Sequence, residues 1–241
     1  MTIIGLTGGI GHGKTTFAAD LAACAPSFAT YESSLLISEV ANDLRSFGSP
    51  RPDDIDALNT WLTALPDILA TRTHATTDID TLKITPERLK SHPEYYEKLF
   101  EYLRDIEANP VKANSVITPE NKDHFRTLLQ WLGGYLAKVV DGGIWYREII
   151  RRIQEAPPVD LALIGGVRFP ADAAEIRKAG GLIIEVQRPN FGDQDKNDLT
   201  ERERASIVPD ITILNDGSLL DLKDKAQQTY EDIVSAAVNK H

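Results

Sequence analysis

Apolar and β-branched residues fill Thr2-Ile3-Ile4-Gly5-Leu6-Thr7 almost without interruption, the pattern of a strand covered on both faces, and Gly8-Gly9 end it. Lys14 to Cys24 then reads as a helix, so the chain opens with strand, glycine loop and helix, the start of a βαβ unit. Phe28 to Tyr31 reads as a short second strand, and the centre of the chain, Ser34 to Ala156, is helical in pattern. Within it, Asp53-Asp54 opens a segment that Pro66 closes after Leu65. Thr85-Pro86-Glu87 caps one running to Ala108, and Thr118-Pro119-Glu120 caps another running to Val140. Thr71 to Thr81, rich in Thr and Asp and without periodicity, reads as a surface loop. Strand and helix alternate again afterwards: strands at Val159 to Ile164, Gly181 to Gln187 and Ile211 to Leu214, with a helix at Pro170 to Ala179. A last helix, Ser218 to Val238, puts Leu219, Leu222, Ala226, Tyr230, Ile233 and Ala237 on one stripe. The pattern predicts one discontinuous α/β core, residues 1–33 and 157–241, with a mostly parallel sheet between helical layers and a large helical insertion at 34–156.

Composition narrows the function classes. With 241 residues, 42% hydrophobic and 26% charged, the chain has a globular balance and none of the bias of collagen, coiled coil or disorder. Lys plus Arg number 26 against 36 for Asp plus Glu, a net charge of −10, which makes the surface a poor platform for nucleic acid while leaving room for a local basic pocket. The single cysteine, Cys24, permits no internal disulfide. No apolar run approaches the length of a membrane span, and the apolar start lacks a basic leader, so the expected location is the cytoplasm, with no membrane partner.

Gly8-Gly9-Ile10-Gly11-His12-Gly13-Lys14-Thr15 matches G-x-x-x-x-G-K-[ST] in full, after a strand and before a helix. Glycines let backbone N–H groups fold around phosphate oxygens, the helix N-terminus adds positive potential, Lys14 reaches the terminal phosphates, and Thr15 offers a hydroxyl to Mg²⁺. Gly9, Gly11, His12, Gly13, Lys14, Thr15 and Thr16 are therefore the expected ATP contacts, with His12 giving either its amide or its ring. A small kinase fits this motif best, because it needs only a donor loop, an acceptor pocket with arginines and a lid that excludes water.

Several further stretches carry a resemblance. Val167-Arg168-Phe169-Pro170-Ala171-Asp172-Ala173-Ala174-Glu175-Ile176, Ala179-Gly180-Gly181, Arg188-Pro189, Leu199-Thr200-Glu201 and Asn215-Asp216-Gly217-Ser218-Leu219 form one block. Arg126-Thr127-Leu128-Leu129-Gln130-Trp131-Leu132-Gly133, through Trp145, forms another. Together with the glycine loop, about half of the chain resembles the phage deoxynucleoside monophosphate kinases, a family with a P-loop kinase fold of three α/β/α layers. The resemblance implies ATP and Mg²⁺ as cofactors and phosphoryl transfer to a nucleoside 5′-monophosphate, in the host cytoplasm if the chain is phage-encoded. It also implies roles: Arg168 at a strand end and Arg188 at the opening of a lid over 188–206 as catalytic charges, and Asn215 and Gly217 beside the adenine. The acceptor would be held by Arg126, Gln130, Trp131, Arg168, Arg202 and Arg204. Arg202 and Arg204 could equally pair with Glu201 and Glu203, and Trp131 could be a core aromatic. The insertion would build the acceptor pocket or a contact between two copies in a homodimer.

One departure stands out. Where the family has an acidic residue two places before the strand-end arginine, this chain has Gly165-Gly166, so another carboxylate, Glu32 or Asp20, or Thr15 with phosphates and water alone, would have to serve the metal. A monophosphate acceptor, with a second pKa near roughly 6, is already anionic and needs no general base. Three other functions share these features: a dephospho-coenzyme A kinase, a kinase acting on a modified base in DNA, and a nucleotide-binding protein without transfer activity. Against the first, Thr30-Tyr31-Glu32 stands where that family has D-x-D.

Overall fold

The structure is a computed structural model, describing residues 1–75, 82–189, 191 and 203–238. The chain divides into two compact units, Met1–Glu32 with Ile149–His241, and Ser33–Glu148.

The first unit is a parallel sheet between helical layers. Its strands are β1 (Thr2–Thr7), β2 (Phe28–Glu32), β3 (Leu161–Gly165), β4 (Leu182–Gln187) and β5 (Ile211–Leu214). Among the described residues they form a five-stranded sheet in the order β2-β3-β1-β4-β5, with every pairing parallel. The glycine loop leads from β1 into α1 (Lys14–Cys24). Ile4 and Leu6 of β1, with Leu161, Leu163, Ile184, Val186 and Ile213, pack against Phe17 and Leu21 of α1 and against Leu222, Ala226 and Ile233 of the C-terminal helix Leu219–Val238. The opposite face takes the helix Pro170–Lys178, whose Ile176 lies against Gly5 of β1. In a parallel sheet alternate residues face alternate sides, and with both sides covered the strands read as continuous apolar runs. The expected three-layer α/β core with a parallel sheet is therefore present. On the last helix, Leu222, Ala226 and Ile233 are buried as the stripe predicts, but Leu219, its first residue, is exposed.

The second unit is helical: α2 (Ser33–Ser46), α3 (Ile55–Thr73), α4 (Pro86–Lys90), α5 (Pro93–Ala108), α6 (Pro110–Ala113), a 3₁₀ turn at Lys122–Phe125, α7 (Arg126–Tyr135), a π-helical stretch at Leu136–Val140, and the first residues of α8 (Ile144–Glu155). The helices Pro170–Lys178 and Leu219–Val238 are α9 and α10. Trp61 of α3 stacks on Trp131 of α7, with centroids 5.9 Å apart and planes 17° from parallel. Asn42 clamps the backbone of Ile117 through both ends of its amide, and the buried Arg45 guanidinium donates to the carbonyls of Lys112, Ala113 and Ser115 beneath Phe125.

Three boundaries differ from expectation. Pro66 does not end α3, which runs on to Thr73, because a proline forfeits one helical donor while the buried stripe Leu58, Trp61, Leu62, Leu65, Ile68 and Leu69 continues across it. The helix capped at Thr85 stops at Lys90 and a new one starts at Pro93, since the residue before a proline is pushed out of helical geometry, here His92 at φ −125 and ψ 77. The helix expected from Pro119 begins at Arg126, after the 3₁₀ turn. Of the loop expected at 71–81, the first three residues are helical and 76–81 lie outside the described residues.

No described helix is long and apolar enough to cross a membrane. Ile4, fully buried in the central strand, sets a test of the sheet core: Ile4→Ala is expected to lower the unfolding free energy in urea by about 2–5 kcal/mol, and a loss below about 1 kcal/mol would contradict this packing.

Candidate functional site

The glycine loop follows β1 and Arg168 follows β3, at the C-terminal strand ends where ligands bind in open α/β sheets. After Thr7 the chain turns through Gly8, Gly11 and Gly13, all at positive φ (137, 77 and 95). At Gly8 there is no space for a side chain either, because a Cβ would stand 2.3 Å from the Val186 carbonyl oxygen of β4. Gly13 is the residue before α1, and its left-handed backbone (φ 95, ψ 13) lets the helix begin without a side-chain cap. The first N–H groups of α1, at Lys14, Thr15 and Thr16, have no acceptor within their own helix. Thr15 and Thr16 are exposed there. The Lys14 ammonium is drawn back over the turn, donating to the carbonyls of Gly8 and Gly9 at 2.7 Å each. Backbone donors, a helix N-terminus and a lysine thus converge on one concave turn, and this donor set fits a polyphosphate.

His12 holds the turn in place. Its carbonyl accepts from Asn215 Nδ2 at 2.9 Å, and its Nδ1 accepts the Arg188 N–H at 3.3 Å, so the neutral ring carries its hydrogen on Nε2. Nε2 is buried beside Gly9 without a hydrogen-bond partner among the described residues. Phe191 meets the His12 ring edge-on at 6.1 Å, packs against Gly11 and lies beneath the Arg188 guanidinium, 4.9 Å from the ring centroid. Asn215 is therefore a brace of the glycine turn, and Gly217, exposed in the same connection, leaves space for the Asp221 carboxylate that accepts from Ser218. The contribution of Phe191 was missed in the sequence, although an aromatic three residues after Arg188 was its visible signal.

Arg168 follows β3 at the same edge. Its segment is tied to β1 by the Val167 N–H donating to Leu6 O at 3.2 Å and by Thr7 Oγ1 donating to Val167 O at 2.9 Å. The Asp172 carboxylate accepts the N–H groups of Arg168 (3.1 Å) and Phe169 (2.9 Å), which sets the turn from which the exposed Arg168 side chain projects. Asp172 is also a residue that sequence reasoning did not nominate, and its signal was a carboxylate two places after Pro170 at a helix start.

Arg204 has a partner outside its own stretch of sequence, and Glu201, one of its two expected neighbours, lies outside the described residues. Arg204 meets Glu185 of β4 at 3.2 Å, with both side chains largely buried, and Gln187 donates to the other oxygen of that carboxylate at 2.8 Å. Arg202, and most of the lid expected over 188–206, lie outside the described residues. In the second unit, Arg126 is exposed at the start of α7, and Gln130, four residues on, accepts from Lys98 Nζ at 2.8 Å. Trp131 is fully buried against Trp61 and presents no open face to a base, so its place is in the core of the unit. Trp145, also buried, donates to Gly133 O at 3.2 Å.

Burial pushes the Asp172 carboxyl up from an ordinary value of 3.8 to about 7, against the pull of the Phe169 and Arg168 N–H groups and the Arg168 charge. The folded state then holds a proton that the unfolded chain releases near pH 4, so Asp172 lowers stability as pH rises from about 4 to about 7, by on the order of 4 kcal/mol in full. Asp172→Asn keeps an acceptor for the two N–H groups and cannot titrate. The stability of wild type relative to this variant is expected to fall across that window in urea unfolding at stepped pH, and a constant difference would contradict the shift.

No protein-family model matches the chain. Over 240 residues, 99% of this chain and 97% of the other, it is 25% identical to a protein of Acanthamoeba polyphaga mimivirus named "Putative deoxynucleotide monophosphate kinase". The chain is thus similar along nearly its whole length to a protein named as a nucleotide kinase, and its sheet and glycine turn have the layout of a P-loop kinase-like fold.

Proposed function

We propose that the chain transfers the γ-phosphoryl group of ATP to a (deoxy)nucleoside 5′-monophosphate, giving the diphosphate. The observation that carries this reading is the joining of two cationic positions at one sheet edge: Lys14 over the glycine turn, and Arg168 on a segment hydrogen-bonded to the last residues of β1. Phosphoryl transfer asks little covalent chemistry of a protein and much alignment and charge neutralisation, which fixed cations on a rigid edge supply. The likeness to the mimivirus protein supports the same reading and the deoxynucleotide class.

In this assignment the turn from Gly8 to Gly13 and the first N–H groups of α1 hold the β- and γ-phosphates of ATP, and Lys14 neutralises the oxygens that gain charge. The Thr15 hydroxyl would hold a Mg²⁺ ion, which would supply further charge neutralisation. Arg168 binds the acceptor phosphate bidentately. Arg188, stacked on Phe191 and joined to His12, is placed to add charge beside the turn. Arg126 and Gln130, on one face of α7, are proposed to recognise the acceptor. No residue is assigned as a general base, since the acceptor oxygen is already anionic at neutral pH.

Two variants test the assignment. Lys14→Ala is expected to abolish ADP release coupled to diphosphate formation, with the unfolding midpoint unchanged; retained turnover would remove the glycine turn from the donor site. Arg168→Ala is expected to raise KM for the monophosphate by about tenfold or more while calorimetry finds ATP affinity unaltered, since a charged hydrogen bond contributes about 1.5–3 kcal/mol. An unchanged KM would take Arg168 out of the acceptor site.

A further inference from the structure

Three connections meet at His12, and two of them run through its side chain. β4 pairs with β1 in parallel, Glu185 against Thr7, so the chain leaves β4 at Arg188 beside the glycine turn. There the Arg188 N–H donates to His12 Nδ1 at 3.3 Å. The Phe191 N–H donates back to the Arg188 carbonyl, also at 3.3 Å, and its ring touches both sides of the junction. It meets the His12 ring edge-on, lies so close to the turn that a Cβ on Gly11 would stand 2.5 Å from it, and has the Arg188 guanidinium over its face. The His12 carbonyl is held separately, by Asn215 of the connection after β5. Main chain thus ties His12 to one strand exit, and its imidazole ties it to another.

Packing alone is a poor account of an imidazole at this place. The residue is only 9% exposed, and Nε2, which carries the hydrogen while Nδ1 accepts, has no hydrogen-bond partner among the described residues. A buried donor without a partner costs free energy that an apolar side chain of similar volume would not. Such a side chain could fill the same space and face Phe191, but it could not accept the Arg188 N–H. That acceptor is what the imidazole adds. It holds Arg188 by the backbone, while the Phe191 ring holds the guanidinium at the other end, and a cation restricted in this way is the kind of preorganised charge that a polar site uses.

We propose that the His12 side chain is a positioning residue: by accepting the Arg188 N–H on Nδ1 and backing Phe191, it fixes the Arg188 guanidinium beside the glycine turn, so that the turn and the arginine after β4 act as one unit. The assignment rests on the kinase reading above and goes beyond the phosphate contact expected of the loop, because the ring acts on the reaction through Arg188.

The test asks whether His12 acts through Arg188 or only fills space. Transfer from Mg·ATP to a monophosphate, ATP affinity by calorimetry and unfolding midpoints are measured on the full chain for wild type, His12→Leu, His12→Asn, Arg188→Ala and the double variant His12→Leu with Arg188→Ala. His12→Leu keeps the apolar volume and loses the acceptor. It is expected to lower kcat by about tenfold, the scale of one hydrogen bond, with ATP affinity unchanged and an unfolding midpoint no lower than that of wild type. His12→Asn carries an acceptor oxygen as far along its side chain as Nδ1 and is expected to recover most of that kcat, although it packs less well and unfolds earlier. Once Arg188 is alanine the imidazole has nothing to position, so the double variant is expected to match Arg188→Ala. An unchanged kcat in His12→Leu or in Arg188→Ala overturns the assignment, as does a His12→Asn no more active than His12→Leu. Additive losses in the double variant, or an ATP affinity that falls in step with kcat in His12→Leu, also overturn it, by making the ring a support of the glycine turn alone. A wild type that binds ATP and phosphorylates no monophosphate would sink the kinase reading and the assignment with it.

Discussion

The turn from β1 into α1 is the constraint on which the rest of the site depends. Gly8 has to pass within contact of the β4 backbone and Gly13 has to start a helix from a left-handed conformation, so neither position can carry a side chain without moving the sheet or the helix. Once the turn is set, its surroundings follow. Lys14 folds back onto the carbonyls of Gly8 and Gly9, His12 is held from opposite sides by Asn215 and Arg188, and Thr7 fastens the Val167-Arg168 segment to the same edge. The hydrophobic contacts of Phe17, Leu21 and Leu222 beneath it supply the rigid support that a preorganised polar turn requires.

Charge is distributed to match. The chain as a whole is acidic, at −10, yet Lys14, Arg168 and Arg188 all belong to the edge around the turn. A local cationic edge on an acidic protein favours a small, highly charged anion over an extended polyanion, which must also meet the surrounding negative surface. Asp172, buried beside Arg168, adds little negative charge to that edge, because desolvation holds its proton to near neutrality.

Much of the first unit was legible because its signals are contiguous. The run Thr2 to Thr15 contains the strand, the glycines, the lysine and the hydroxyl in order, and the β-α alternation after Val159 gave the other strands within a residue or two. Less could be read where geometry is decided by distant partners. Pro66 looked like a stop because its missing donor is visible in sequence, whereas the buried Trp61, Leu65 and Leu69 that keep the helix going act through packing. Arg204 reads in sequence as a partner of adjacent glutamates or of substrate, whereas its pairing with Glu185, nineteen positions away on a strand, is decided by the fold. Trp131 could have served a base or a core, and its stacking on Trp61, seventy residues earlier, places it in the core.

The most direct measurement of the central claim is product analysis of wild-type protein incubated with Mg·ATP and, one at a time, each ribo- and deoxynucleoside 5′-monophosphate and dephospho-coenzyme A. Kinase activity at this edge predicts ADP and a nucleoside diphosphate in equal amounts with one or more of the monophosphates. ATP binding without ADP release on any acceptor would contradict it and leave the protein a nucleotide-binding module.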